Sequence, residues 1–424
     1  MFDDKGYNFV MSDNLPAHYV GLDIGTSRVR CIIGTVDENS PEPHINIVGH
    51  GSCQNSGMRK GLITHLDEVA NAVEQAVVEA ERMSGIRISH ATVNVNGSHV
   101  SSLNSKGVVA ISANDRTISV SDRIRAEEAA TIVQIPQNRE ILQVFPKNYR
   151  VDGQDNIKDP VGMKGIRLEV DVHIVTAATP SVKSLEALFE KVNIRPAHYT
   201  VSGLAAAEAV LNRNQREAGS LVADIGAGTI NLAIIEDGEV QDIAVIPMGG
   251  NNITNDLAIG LKTDLEIAEK VKIEYARIGD KVKAGEAEIS YGGDKHVFDL
   301  EEVSMIVEAR VEEMFEYIEK ELKRVEKSKK LPGGVVLVGG SVNIPGVDSF
   351  AKQYLGLSCK KGKLNDSRGI TDGIEGIEYV TAIGLMNLDM LFGSQSDNSY
   401  NSNRFFMPIA IFDYINNVFK KLKK

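Results

Sequence analysis

Cysteine is scarce in this chain, with three residues, Cys31, Cys53 and Cys359, among 424. No two form a CxxC pair, which excludes a zinc knuckle and a dithiol redox motif, and three thiols without a framework suit a reducing compartment. The nine histidines are scattered, with no HxxxH and no HExxH among them, so no helix-borne zinc site is written here. Positive charge is also short: 46 Lys and Arg stand against 58 Asp and Glu, a net charge of −12. That balance excludes nucleic-acid binding through a basic surface. No run of ~18 apolar residues occurs, so no helix is expected to span a bilayer. The N-terminus lacks the basic-then-apolar pattern of a secretory signal. These absences point to a cytoplasmic protein. The rest is ordinary globular composition, 42% hydrophobic and 25% charged, at a length that suits about two to four domains.

Residues 1–16 are polar and aperiodic and read as a disordered extension, with Met11 a second candidate start. Order is expected from His18. Val20–Asp23 and Val29–Val36 read as strands flanking the turn at Gly25, Thr26 and Ser27. Val69, Val73, Ala76, Val77 and Ala80 recur at helical spacing within Leu66–Met83, and Ser84-Gly85 is a plausible stop. From about 87 to 167 the hydrophobic pattern changes. Strand-like runs at 108–111, 140–146 and 168–175 surround a helix expected over 121–133, and this stretch reads as an inserted subdomain. Helices are expected at 179–191, 203–211, 252–260 and 302–328, the last with an alternating Lys/Glu face that reads as solvated.

An internal repeat organises the rest. Asp23-Ile-Gly-Thr-Ser and Asp224-Ile-Gly-Ala-Gly lie 201 residues apart, each between two strands, so the chain reads as two related α/β halves. A tight turn between strands aims successive backbone N–H groups into one cavity, a nest that suits phosphate oxygens. Gly25, Gly226 and Gly228 allow the close approach, and Thr26, Ser27 and Thr229 add hydroxyls. Asp23 and Asp224, at the strand ends, are placed to hold the waters of a Mg²⁺ ion, which keeps its hydration shell and takes few protein ligands. One Asp-x-Gly turn alone is most often an ordinary hairpin; two in equivalent frames carry the argument. Gly339-Gly340-Ser341, after an apolar strand, let a flat base or ribose lie against backbone, and Gly249-Gly250 form a similar turn.

On these motifs the sequence resembles the superfamily of actin, heat-shock chaperones and sugar kinases. Asp23–Ser27 matches its first phosphate loop, Asp224–Thr229 its second, and Gly339–Ser341 its adenosine loop. The stretches VGLDIGTSRVRCIIG, VNVNGSHV, VSGLAAAEAVL, LVADIGAGTINLAI and VVLVGGSVNIPG, from about residue 18 onward, resemble the FtsA family of bacterial cell-division proteins. The resemblance implies an actin-like two-lobed ATPase fold of duplicated RNase H-like domains. Subdomain 1A would take 17–86 with 168–200 and 375–392, and 1C would take 87–167. Subdomain 2A would take 201–247 with 304–374, and 2B would take 248–303. It further implies ATP with Mg²⁺ in the cleft, with Glu269 and Lys272 matching an AExxK run beside the adenosine; as residues alone, the pair reads equally as a solvated i,i+3 contact. It implies filament formation, contact of 2B with the C-terminal tail of FtsZ, and recruitment of later division proteins through 1C. The sequence departs from chaperone and filament relatives at Ser202-Gly203-Leu204-Ala205, where glycine stands in place of the acid that orients attacking water; Glu208 lies more than a turn on. Phosphoryl transfer to water needs a positioned nucleophile, so tight ATP binding with turnover below ~1 s⁻¹ is expected.

The C-terminal segment is an independent signal. After a Ser/Asn-rich linker at 393–403, Phe405, Ile409, Phe412, Ile415, Phe419 and Leu422 recur at steps of three or four. Lys420, Lys421, Lys423 and Lys424 end a chain whose remainder carries about −16. An amphipathic helix over 404–424 is expected to lie in a membrane interface, its lysines meeting anionic lipid at about 1 kcal/mol each. One such helix is a weak anchor, and assembly would strengthen it through avidity. The site expected is the inner face of the plasma membrane at mid-cell. The competing enzyme reading is a small-molecule kinase of the same superfamily. A chaperone ranks lower because no substrate-binding domain follows the second half, and a cell-shape protein of the MreB type would carry 1B instead of 1C.

Overall fold

The computed structural model describes residues 17–393 except 37–44, 113, 283, 366–367, 370–373 and 375. The extension at 1–16, the linker beyond residue 393 and the tail at 404–424, with its expected membrane-facing residues, lie outside the described residues.

Two sheets form the body. The first runs in the order Arg195–Val201, His90–Val95, His18–Ile24, Arg28–Val36, Ile45–Gln54 and Arg368–Gly369. The second runs Cys359–Lys361, Gly334–Val338, Ser220–Ile225, Ile230–Glu236 and Glu239–Ile246. Each opens with a three-strand antiparallel meander. Each then adds two parallel strands beside its first strand. The central strands Ser220–Ile225 and Gly334–Val338 are buried at every residue, as strands covered on both faces by helices must be. The repeat extends to register. Asp23 faces Arg30 and Ile24 faces Val29, while Asp224 faces Asn231 and Ile225 faces Ile230.

Helix Leu66–Ser84 buries Val69, Val73, Ala76, Val77 and Ala80 and stops at Gly85, whose left-handed backbone lets its N–H bond the Glu81 carbonyl. Helix Leu300–Arg324 is capped by Asp299 and buries Val303, Val307, Phe315, Ile318 and Leu322. Two further helices lie between the sheets. Ser202–Val210 packs on the second sheet and Val380–Gly393 on the first. They cross at Gly384, where a Cβ would stand 1.8 Å from the Ala205 carbonyl oxygen. Only glycine permits that approach.

The insertion is a four-strand antiparallel sheet, Ser101–Ala110, Arg167–Ala178, Arg139–Val151 and Gln154–Ile157. Helix Val120–Ala130 covers it, started by a Ser119/Asp122 capping box. Both expected boundaries, 87 and 167, shift. His90–Val95 pairs in parallel with His18–Ile24 and so belongs to the first sheet. Arg167–Ala178 pairs along its length with the insertion's strands, not with the first half. Periodicity identifies a strand but not the sheet that it joins. The insertion touches both halves. Gln143 Oε1 accepts from the Val201 N–H (3.3 Å) on the first sheet. On the edge strand Glu239–Ile246, the Ile243 N–H donates to His173 Nε2 (3.0 Å) and the Ile243 carbonyl accepts from Ser102 Oγ (2.8 Å).

Candidate functional site

The paired meanders bring the two acidic turns face to face. Each turn is closed by one backbone hydrogen bond, Gly25 N–H to the Arg28 carbonyl at 3.0 Å and Gly226 N–H to the Thr229 carbonyl at 2.9 Å. Both line a single cavity of about 320 Å³, a size within the range of small-ligand sites. The turns nearly touch: a Cβ at Gly228 would fall 2.7 Å from Thr26 Oγ1. Thr26 Oγ1 itself accepts from the Gly61 N–H at 3.1 Å, so its own proton remains for a ligand.

Asp23 and Asp224 are both buried. Asp23 accepts from Asn94 Nδ2 at 2.7 Å, and Arg30 Nη1 lies 4.0 Å away. Burial pushes its carboxyl up to about 7, opposed by the Arg30 charge and reinforced by Asp224. Asp224 accepts from Asn231 Nδ2 at 3.2 Å and Thr381 Oγ1 at 3.4 Å. Burial likewise pushes it up to about 6, and Asn231, Thr381 and Arg30 oppose the shift. Two desolvated carboxylates sharing one crevice call for a cation between them. Among the described residues no group of three or more His, Cys, Asp or Glu is placed to hold a metal directly. Such a pair would suit a hydrated divalent cation such as Mg²⁺, held through its waters. Asn96, which lines the cavity, also leaves its Oδ1 buried without a partner, an acceptor for such a water.

The third glycine turn joins the same cavity. Gly339 has φ 90°, and a Cβ there would stand 2.5 Å from Asp224 Oδ1, so both backbone and space require glycine. Gly340 is different, because its Cβ position meets nothing within 4 Å. It offers open backbone to a flat group. Ser341 Oγ donates to the Gly226 carbonyl at 2.9 Å, tying this turn to the second acidic turn. Gly250, at the start of helix Gly250–Gly260, donates its N–H to the same carbonyl at 2.9 Å. Gly249 is buried behind the wall, its Cβ position 2.5 Å from that oxygen. Glu269 and Lys272, on helix Leu265–Tyr275, both line the cavity. Lys272 Nζ reaches Glu269 Oε2 (2.6 Å), Thr254 Oγ1 (2.9 Å) and the Gly250 carbonyl (3.3 Å). The pair is thus a strut of the wall, with Lys272 largely buried and Glu269 partly open to solvent.

Ser27, Gly25, Gly226 and Thr229 also line the cavity, with Arg30, Asn96, Asn231, Glu378 and Thr381, which the motifs did not indicate. Arg30 and Asn231 were within reach, since a four-residue turn places the residue seven positions after each aspartate opposite it. Glu378 and Thr381 carry no local signal. On the linking helix, a Cβ at Gly203 would meet the Leu232 carbonyl at 3.1 Å, and Glu208 is bound to Arg216 at 2.8 Å. Neither lies in the cavity wall.

A duplicated α/β body whose two acidic turns face each other across one crevice defines the actin-like ATPase fold. Solved structures agree: the PilM–PilN type IV pilus biogenesis complex matches with a TM-score of 0.65 at 16% identity, covering 88% of this chain and 99% of that one. MreB5 of Spiroplasma citri bound to ADP matches at 0.54 and 12%, covering 90% and 99%. At the level of family, the pattern described as an SHS2 domain inserted in FtsA matches residues 97–176, and that of cell division protein FtsA matches 221–384. Cell division protein FtsA of Pseudomonas aeruginosa is 33% identical over 400 residues, 92% of this chain and 95% of its own length. That of Bacillus subtilis is 36% identical over 372 residues, 87% and 82% respectively. The chain belongs to the FtsA family of cell-division proteins, and its insertion matches the SHS2 domain described as inserted in FtsA.

Proposed function

We propose that this chain is the ATP-dependent membrane tether of the division ring. ATP with Mg²⁺ occupies the cleft. The turn amides, Thr26, Ser27 and Thr229 hold the phosphates, Asp23 and Asp224 hold the metal's waters, and Gly339, Gly340, Ser341, Gly250, Glu269 and Lys272 enclose the adenosine. The observation that carries this reading is the convergence of both acidic turns on one cavity. The nucleotide fixes the angle between the lobes and so permits filament formation. Hydrolysis is slow, because no carboxylate of the linking helix reaches the cleft. Support for bound nucleotide also comes from MreB5 of Spiroplasma citri, which is described with ADP and with AMPPNP.

Subdomain 2B grips the C-terminal tail of FtsZ, and the inserted 1C subdomain recruits later division proteins. The amphipathic segment at 404–424 lies on anionic lipid at the inner face of the plasma membrane, at mid-cell. No helix among the described residues is long and apolar enough to cross a membrane. Co-sedimentation with anionic liposomes tests the reading, using the full chain and a chain ending at residue 403, each with Mg²⁺-ATP and without nucleotide. The full chain is expected to pellet more strongly with ATP, and the shortened chain to stay in the supernatant. Equal pelleting of the two chains would remove the tether. Phosphoryl transfer from ATP to a small sugar or acid would favour a kinase instead.

A further inference from the structure

We infer that Arg30 is a resident cation of the cleft, which contacts the phosphate chain of the bound nucleotide and reduces the site's dependence on Mg²⁺. The inference rests on the reading of the cleft as an ATP site and adds a role to a residue that the motifs left out.

The starting point is an asymmetry in the repeat. Across each turn the residue opposite the aspartate is fixed by register, and it is Arg30 in the first half and Asn231 in the second. Asn231 spends its amide on the aspartate, at 3.2 Å. Arg30 does not: Nη1 stays 4.0 Å from Asp23, a charge contact and not a hydrogen bond. Its Nε is buried without a hydrogen-bond partner. The guanidinium is nevertheless held in place. Its carbon stands 5.2 Å over the Tyr379 ring, a cation–π contact that fixes its plane. The side chain is 15% exposed and lines the cavity. An oriented, largely desolvated guanidinium on the cavity wall that makes no hydrogen bond to Asp23 is built for an anion, and its forked donors match phosphate oxygens.

Among the described residues, the other cations of the wall are engaged or turned outward. Lys272 is committed to Glu269, Thr254 and the Gly250 carbonyl. Arg28 is exposed and turns toward Ser52 at 3.5 Å. Against Asp23, Asp224 and an incoming triphosphate, Arg30 is therefore the inward positive charge among the described residues. With Mg²⁺ present the two cations share the load. Without Mg²⁺, Arg30 carries most of it.

Titration calorimetry of the full chain with ATP, once in Mg²⁺ and once in EDTA, separates these contributions. Arg30→Asn copies the arrangement already present at Asn231 and is the principal variant; Arg30→Gln repeats the test should R30N fail to fold by circular dichroism. Loss of a charge-assisted contact is expected to weaken ATP binding about tenfold or more in EDTA, and about threefold or less in Mg²⁺, where the metal screens the same phosphates. Arg30→Lys, which keeps the charge, should retain most of the EDTA binding. Equal losses in the two media, or none in EDTA, would overturn the inference while leaving the cleft an ATP site. Failure of the unmodified chain to bind ATP even in Mg²⁺ would overturn both.

Discussion

The two halves share a strand order, a turn length and the register of the acidic residue, yet they surround their turns differently. The first half carries the inserted sheet after His90–Val95 and places Arg30 beside its aspartate. The second carries the helices Gly250–Gly260 and Leu265–Tyr275 and places Asn231 there. The shared part makes a two-sided cradle; the parts that differ give each side its own chemistry. Charge is concentrated around Asp23, and the glycine turn at 339–341 with the Glu269–Lys272 strut stands on the other side. The insertion braces both halves through Gln143 and His173.

The comparison can be broken most severely where the halves meet. Gly384→Leu puts a branched side chain into a contact that already leaves 1.8 Å to the Ala205 carbonyl, and a loss of about 3 kcal/mol is expected. A denaturant midpoint equal to that of the unmodified chain would mean that the two linking helices do not cross there. Next come the acidic residues themselves. Asp23→Asn and Asp224→Asn should each weaken Mg²⁺-ATP binding about tenfold or more, as loss of a charged partner does. Each should also raise the stability of the ligand-free chain, because a buried carboxylate gives way to a neutral amide. The gain should be larger at Asp23, whose carboxyl is pushed to about 7 against about 6 for Asp224. A larger gain at Asp224 would reverse the proposed division of charge.

The same shifts fix a pH dependence. Both folded values lie above the ordinary 3.8. The folded chain thus holds protons that the unfolded chain has already released. Their contribution is fully present below the unfolded value and is lost as pH rises through about 6 to 7. His173 works in the opposite sense, since burial lowers it to about 3 and its contribution is lost as pH falls below the ordinary histidine value. Melting curves of the unmodified chain and D23N, compared from pH 5 to 8, isolate the aspartate: the difference favouring D23N should grow toward pH 8. A constant difference would contradict the shift. The smallest effect expected is at the brace. His173→Phe removes the acceptor of the Ile243 N–H and should cost about 1 kcal/mol, with faster hydrogen exchange at Ile243. Unchanged exchange there would show that the insertion does not hold the edge strand.

Several elements were legible because their cause is local. Leu66–Ser84 follows from apolar spacing and a terminal glycine, and both acidic turns follow from a repeated Asp-Ile-Gly between strands. The insertion was recognised as a change of pattern, but its edges were not, because His90–Val95 and Arg167–Ala178 choose their sheets by long-range pairing. Gly249 and Gly250 read alike in the sequence, yet one backs the wall and the other lines it.

The order of residues alone determined the duplication, the glycine-cornered turns and the amphipathic helices, since each depends on neighbours a few positions apart and on the period of the backbone. Tertiary structure alone decided that Asp23 and Asp224 share one crevice, that Arg30 is held over Tyr379, and that Thr381 joins the second aspartate. Those relations are set by how two sheets and two crossing helices pack, and burial, charge and hydrogen bonding at the site take their values only once that packing exists.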